Sequence, residues 1–167
     1  IIRCEKKGAA SARNYGAFYS DGEILVFIDA DVIVQTHTLQ NLINPLRYGK
    51  TEASFGQYIT NSDSMSFCEK YKTLYLSNIY RKKNGEIKNF YWTALAAVRK
   101  EVFEKLDGFD EDLPVNVCED KDFGERLTAS NNKIIVIHEA KGLHLKRLNF
   151  RTILKNDFCK GADAFYL

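Results

Sequence analysis

Ten residues, Glu23-Ile24-Leu25-Val26-Phe27-Ile28-Asp29-Ala30-Asp31-Val32, restrict what this chain can fold into more than any other stretch. The unbroken run of large apolar side chains from Ile24 to Ile28 predicts a strand covered on both faces, as in the middle of a parallel sheet. Two carboxylates one residue apart end it. Dehydrating an ionised carboxylate is costly unless a cation or donors compensate, so Asp29 and Asp31 belong where the strand leaves the sheet. In open α/β sheets that edge is where ligands bind.

The pattern on either side supports an α/β chain. Ile1 to Cys4 reads as a strand, and Gly8 to Gly16 leads into a helix with Ala12, Tyr15, Gly16 and Tyr19 on one face. Ser20-Asp21-Gly22 is a turn before the run to Asp29, so strand, helix and strand call for a parallel pair with a right-handed crossover. Thr36 or Thr38 can cap a helix carrying Leu39, Leu42, Ile43 and Leu46, with Pro45 kinking or shortening it. Ala53 to Thr60 predicts a strand weakened by Gly56, and Ser64 to Lys82 a tyrosine-rich helix closed by the cations Arg81, Lys82 and Lys83.

Asn89 to Val98 predicts a strand feeding a short helix, Lys100 to Leu106, and an acidic loop follows. Cys118 to Leu127 starts a helix with acids that suit its macrodipole and buries Phe123 and Leu127. Ile134 to Ile137 is a buried strand, and Asn149 can cap a last helix with Phe150, Ile153, Leu154 and Phe158 on its apolar face.

Composition matters mainly for what it removes. With 45% hydrophobic residues over 167 positions the chain can bury a core, and it fits one domain spanning 1–167. A formal charge of +2 is too small an excess to argue for nucleic acid. Cys4, Cys68, Cys118 and Cys159 lack both zinc-ligand spacing and a compact framework, so reduced thiols in a cytoplasmic setting are expected. No stretch is long and apolar enough to span a bilayer.

Two acidic constellations could carry chemistry. Asp29-x-Asp31 suits a hard divalent cation such as Mg²⁺, which takes oxygen from one or two carboxylates and completes its shell with phosphate and water; strand-end acids are also common in plain turns. Glu119-Asp120 at a helix start is either a solvated terminus favoured by the macrodipole or the seat of a general base that takes a hydroxyl proton. His138 and His144 are each either a satisfied polar residue or a ligand for Mn²⁺ or a similar ion.

Gly8 through Val32, G-A-A-S-A-R-N-Y-G-A-F-Y-S-D-G-E-I-L-V-F-I-D-A-D-V, resembles the corresponding segment of the family 2 glycosyltransferases. Trp92-Thr93-Ala94 to Val98-Arg99-Lys100, Leu106 to Glu111, and Glu119-Asp120-Lys121-Asp122-Phe123 with Arg126-Leu127 resemble later family blocks in the same order. The resemblance implies a Rossmann-like A-type glycosyltransferase fold, an α/β architecture with a mostly parallel central sheet flanked by helices. It implies transfer of a sugar from a nucleotide-diphosphate donor to the hydroxyl of a carbohydrate or lipid-linked acceptor, inverting and dependent on Mg²⁺ or Mn²⁺, in polysaccharide or glycoconjugate synthesis.

By the same resemblance, Asp29 and Asp31 match the family's D-x-D, which meets donor and cation, with Asp31 the better direct ligand. Asp120 matches the catalytic base, with Glu119 beside it in the acceptor region, and Arg13 matches an arginine near the donor. His144 resembles a histidine that approaches metal or diphosphate, with His138 its competitor. The family's first strand-helix-strand unit has no counterpart before Ile1, so the chain is expected to be a catalytic domain that is N-terminally incomplete. The aromatic ending Ala164 to Leu167 leaves room for further helices and for peripheral attachment at the inner face of a membrane.

Two rival functions stand beside this one. A nucleotidyl or sugar-phosphate transferase on a related sheet would need a glycine-rich, lysine-bearing loop upstream. A degenerate, non-catalytic domain would bind carbohydrate or protein through Tyr71 to Tyr80.

Overall fold

Leu25 and Phe27 enter one apolar core and Ile24 and Val26 pack against a second, so the Ile24–Ile28 strand (β1) is apolar throughout because both its faces are covered. The structure, a computed structural model, describes residues 2–6, 8–49, 51–60, 65–81, 85–113 and 119–163, excepting the side chains of 79–81, 159–160 and 162–163. Within these, helix α1 is Ala9–Phe18, β2 Val32–Val34, α2 Thr38–Tyr48, β3 Ala53–Tyr58 and α3 Phe67–Arg81. Then come β4 Glu86–Ile87, β5 Leu95–Arg99, α4 Lys100–Lys105, α5 Glu119–Ala129, β6 Ile134–His144 and α6 Phe150–Asp163.

The strands form one sheet in the order β1-β5-β3-β6-β2, with β4 also paired to β6. The α/β class with helices flanking a central sheet is as expected, but the strand directions are not. Only β3 and β6 run parallel, while β1 with β5, β3 with β5, β2 with β6 and β4 with β6 are antiparallel. A buried apolar run reports that both faces are covered; it carries no information about the direction of its neighbour. Residues 2–5 form no strand, and Asn89 to Ala94 is irregular before β5 begins at Leu95.

The larger core is aromatic. Phe103 of α4, Phe109 and Phe123 of α5 meet with ring centroids 4.9 to 5.3 Å apart, and Phe27 of β1 joins them. Each such ring contributes about 2–3 kcal/mol by leaving water and each pair about 1 kcal/mol more. These contacts hold α4 and α5 on one face of the sheet; Leu42 and Leu46 of α2, with Leu95, Ala97 and Ala140, form the core on the other face.

Several local expectations differ from the structure. The inward face of α1 carries Ala10, Ser11, Arg13, Asn14 and Ala17, whereas Tyr15 and Tyr19 are exposed, because the helix turns three polar side chains toward the protein. Thr38 does not cap α2: its hydroxyl donates to the Lys141 carbonyl at 2.7 Å and so ties the helix start to β6. α2 continues through Pro45 to Tyr48.

Asn149 does cap α6, accepting from the Thr152 N–H at 2.9 Å, and Ser66 with Glu69 forms a reciprocal capping box at the start of α3. Cys4 and Cys68 are free thiols. Ile1, Lys82 to Asn84, Pro114 to Cys118 and Ala164 to Leu167 lie outside the described residues. Among the described residues no helix is long and apolar enough to cross a membrane.

Candidate functional site

The site begins where β1 stops. The Asp29 N–H donates to the Ala94 carbonyl at 3.1 Å, and the Val32 N–H donates back to the Asp29 carbonyl at 3.0 Å. The chain therefore reverses within Asp29-Ala30-Asp31 and enters β2 beside the end of β6. Val32 pairs with His144, and the Leu145 N–H donates to the Asp31 carbonyl at 2.8 Å. Asp31 and His144 are thus neighbours by sheet register. Their side chains approach to 3.4 Å between Oδ2 and Nε2, long for a hydrogen bond. Burial holds the imidazole below its ordinary pKa, against the upward pull of Asp31, so it is neutral at pH 7.

His138 is six residues earlier on the same strand, about 20 Å away along an extended chain. Sheet register therefore brings His144, not His138, to the aspartates.

Arg13 projects from the inward face of α1 between the two acidic constellations. Its Nη2 donates to Asp29 Oδ1 at 2.9 Å and its Nη1 to Glu119 Oε1 at 2.7 Å. Burial opposes its charge, but the hydrogen bonds to Glu119 and Asp29 outweigh that and raise its pKa, and the guanidinium also lies over the Phe109 ring. The arginine therefore binds protein carboxylates, and Asp29 and the start of α5 are held together through it. Asp120 follows Glu119 in the first turn of α5 and is half-buried.

The next residue performs a parallel task. Asn14 Nδ2 donates to the Phe109 carbonyl at 2.8 Å and to Glu111 Oε1 at 2.9 Å, while its Oδ1 accepts from the Phe109 N–H at 2.9 Å. Gly108 has φ +65°, and a Cβ there would sit 2.7 Å from Asn14 Oδ1, so the Asp107-Gly108 turn requires glycine. Adjacent residues of α1 therefore hold β1 to α5 and clasp the loop after α4. Arg126 secures α5 itself, donating to Asp122 Oδ2 at 2.6 and 2.9 Å and to the Leu106 carbonyl.

Sequence reasoning missed Asn14, Tyr58 and Trp92. Asn14 carried a signal, standing beside Arg13 in the Gly8 to Val32 segment; Tyr58 carried none, because Ser77, Trp92 and His144 come from segments distant along the chain. Among the described residues no cluster of three or more His, Cys, Asp or Glu side chains is placed to hold a metal. The Asp31 and His144 pair provides one hard oxygen and one neutral imidazole nitrogen, a donor set that fits Mn²⁺ when water and phosphate supply the rest of the shell.

The fold and this edge define the class: a nucleotide-diphospho-sugar transferase architecture of A type. The family model described as Glycosyl transferase family 2 matches residues 1–107, and the chain belongs to that family. Among solved structures, it is similar to GalNAc-T7 crystallised with UDP, GalNAc and Mn²⁺, at 17% identity and a TM-score of 0.67, covering 89% of this chain and 32% of that one. It is similar to the mannosyltransferase PcManGT from Pyrobaculum calidifontis in complex with GDP-Man and Mn²⁺, at 20% identity and a TM-score of 0.64, covering 96% of this chain and 42% of that one. A third, S. aureus TarS 1-349 in complex with UDP-GlcNAc, aligns at 16% identity and a TM-score of 0.60, over 87% of this chain and 41% of that one. The chain thus spans less than half the length of each. No curated protein sequence matches it.

Proposed function

We propose that this chain carries the catalytic site of a glycosyltransferase that moves a sugar from a nucleotide-diphosphate donor to an acceptor hydroxyl with inversion. The observation that carries this reading is the convergence of Asp31 with His144, and of Asp29 with Glu119 on Arg13, at one edge of the sheet. That UDP, GDP-Man and UDP-GlcNAc accompany proteins of similar fold supports a nucleotide-sugar donor.

Asp31 and His144 are the residues that would hold a divalent cation. When bound, such a cation supplies positive charge against the departing diphosphate. Asp120 accepts the acceptor's proton as its oxygen bonds to the anomeric carbon; the bond from that carbon to the diphosphate oxygen breaks, and its electron pair leaves with the nucleotide diphosphate. Arg13 keeps Asp29 and the first turn of α5 at a fixed separation, which a single displacement between donor and acceptor requires. The acceptor is a carbohydrate or lipid-linked hydroxyl.

The test is transfer and donor hydrolysis by the full chain across a panel of UDP- and GDP-sugars with Mn²⁺. Activity at subsaturating donor that falls steeply in both Asp31→Asn and Asp120→Asn supports the reading; activity untouched by both overturns the assigned roles.

A further inference from the structure

Tyr58 is the last residue of β3, 9% exposed, and its ring lies nearly parallel to the His144 imidazole, with centroids 4.8 Å apart and an interplanar angle of 20°. The Trp92 ring meets Tyr58 edge-on at 4.3 Å and 69°. The Tyr58 backbone is held as firmly as its ring. It pairs with Gly142 across the parallel ladder, its carbonyl accepts from Ser77 Oγ at 3.1 Å, and the following Ile59 N–H donates to the Gly142 carbonyl at 2.9 Å.

The meeting of Tyr58 and His144 depends on an irregularity in the sheet. Phe55 pairs with Val136 and Gln57 with Lys141, so β6 advances by more residues than β3 over the same stretch. The excess is an odd number of residues, which reverses the side-chain alternation beyond it. Gly56 permits this, since a Cβ there would lie 2.4 Å from the Ala140 carbonyl oxygen.

A metal-ligating histidine is usually oriented by a hydrogen bond on its second ring nitrogen. Among the described residues none is found on Nδ1 of His144, and Nε2 faces Asp31. We propose that Tyr58 is a positioning residue for His144: its ring, wedged by Trp92, fixes the plane of the imidazole so that Nε2 is presented toward the Asp31 carboxylate. This rests on reading Asp31 and His144 as the cation pair. The phenol hydroxyl has no part in it; the aromatic face does.

The test uses the full chain and Mn²⁺ alone, with free Mn²⁺ followed by electron paramagnetic resonance, and compares wild type with Tyr58→Phe, Tyr58→Leu and His144→Ala. Tyr58→Phe keeps the wild-type affinity, and Tyr58→Leu loses about 10-fold, as for other residues that orient a ligand. Equal affinity in wild type and a folded Tyr58→Leu overturns the positioning role. If His144→Ala binds as wild type does, or wild type binds no Mn²⁺, the cation-pair reading fails instead. The positioning role then stands or falls on the carbon-bound imidazole protons of wild-type His144, observed by NMR without metal. Stacking on Tyr58 shifts them upfield, and unshifted resonances overturn the proposal even where Tyr58→Leu does not fold.

Discussion

Arg13 and Glu119, 106 residues apart in sequence, are joined by a 2.7 Å hydrogen bond from Nη1 to Oε1. The same guanidinium reaches Asp29 at 2.9 Å, so one side chain fixes the spacing between the end of β1 and the start of α5.

Arg13→Ala leaves Glu119, whose side chain is 13% exposed, with its charge largely out of water and its arginine gone. The expected loss of stability is about 2–4 kcal/mol, toward the lower part of the range for breaking a buried pair because Asp29 is wetter. Denaturant unfolding of Arg13→Ala, Glu119→Gln and the double variant measures it. The double variant recovers part of the loss, since the stranded charge is then gone. Additive effects would show that the two residues are not coupled.

Asp120→Asn and Asp31→Asn separate the proposed roles kinetically. Removing a general base lowers kcat by about 10²–10⁴-fold with the donor KM little changed. Removing a cation ligand acts on donor binding, so Asp31→Asn raises the donor KM, and raised Mn²⁺ partly restores it. Steady-state kinetics across a Mn²⁺ series distinguishes the two patterns, and identical behaviour of the variants would contradict the division of labour.

Gly124 sits inside α5, where alanine would ordinarily gain about 1 kcal/mol from helix propensity. A Cβ at this position would lie 2.5 Å from the Phe90 carbonyl carbon and 2.6 Å from the Tyr91 nitrogen. Backbone cannot yield as a side chain can, so Gly124→Ala destabilises by about 1–3 kcal/mol. Its thermal midpoint falls below wild type; a rise would mean that α5 does not approach the Phe90-Tyr91 segment this closely.

Glu69 supplies the pH dependence. Its carboxylate accepts from the Ser66 N–H at 2.7 Å and the Leu148 N–H at 3.0 Å, and these bonds hold its pKa below the ordinary glutamate value. A depressed folded pKa contributes stability that is fully present above the unfolded value and is lost as pH falls through the folded one. Wild type and Glu69→Gln therefore differ most near neutrality and converge in acid. Urea midpoints across that range test it; a constant difference would remove the carboxylate as the cause.

Much of the site was legible residue by residue. The apolar run ending in Asp29 and Asp31, the acids opening α5 and the Asn149 cap each depend on neighbours within a few positions, so short-range chemistry reveals them. The face of α1 was misjudged because Arg13 and Asn14 turn inward, and periodicity counts polar residues as outward. β2 and β4 were missed because they are edge pieces of three and two residues, too short to show a period, and each is defined by its pairing with β6.

By itself the sequence determined that carboxylates stand at a strand end and at a helix start, and that the chain has enough apolar surface to cover both faces of a sheet. Only the tertiary structure decided that Asp29 and Glu119 share Arg13, that His144 and not His138 meets Asp31, and that Tyr58 stacks on that histidine. The reason is physical. Those outcomes hang on strand register, on the odd number of extra residues in β6 and on the close approach that Gly56 permits, each set by contacts between segments far apart along the chain.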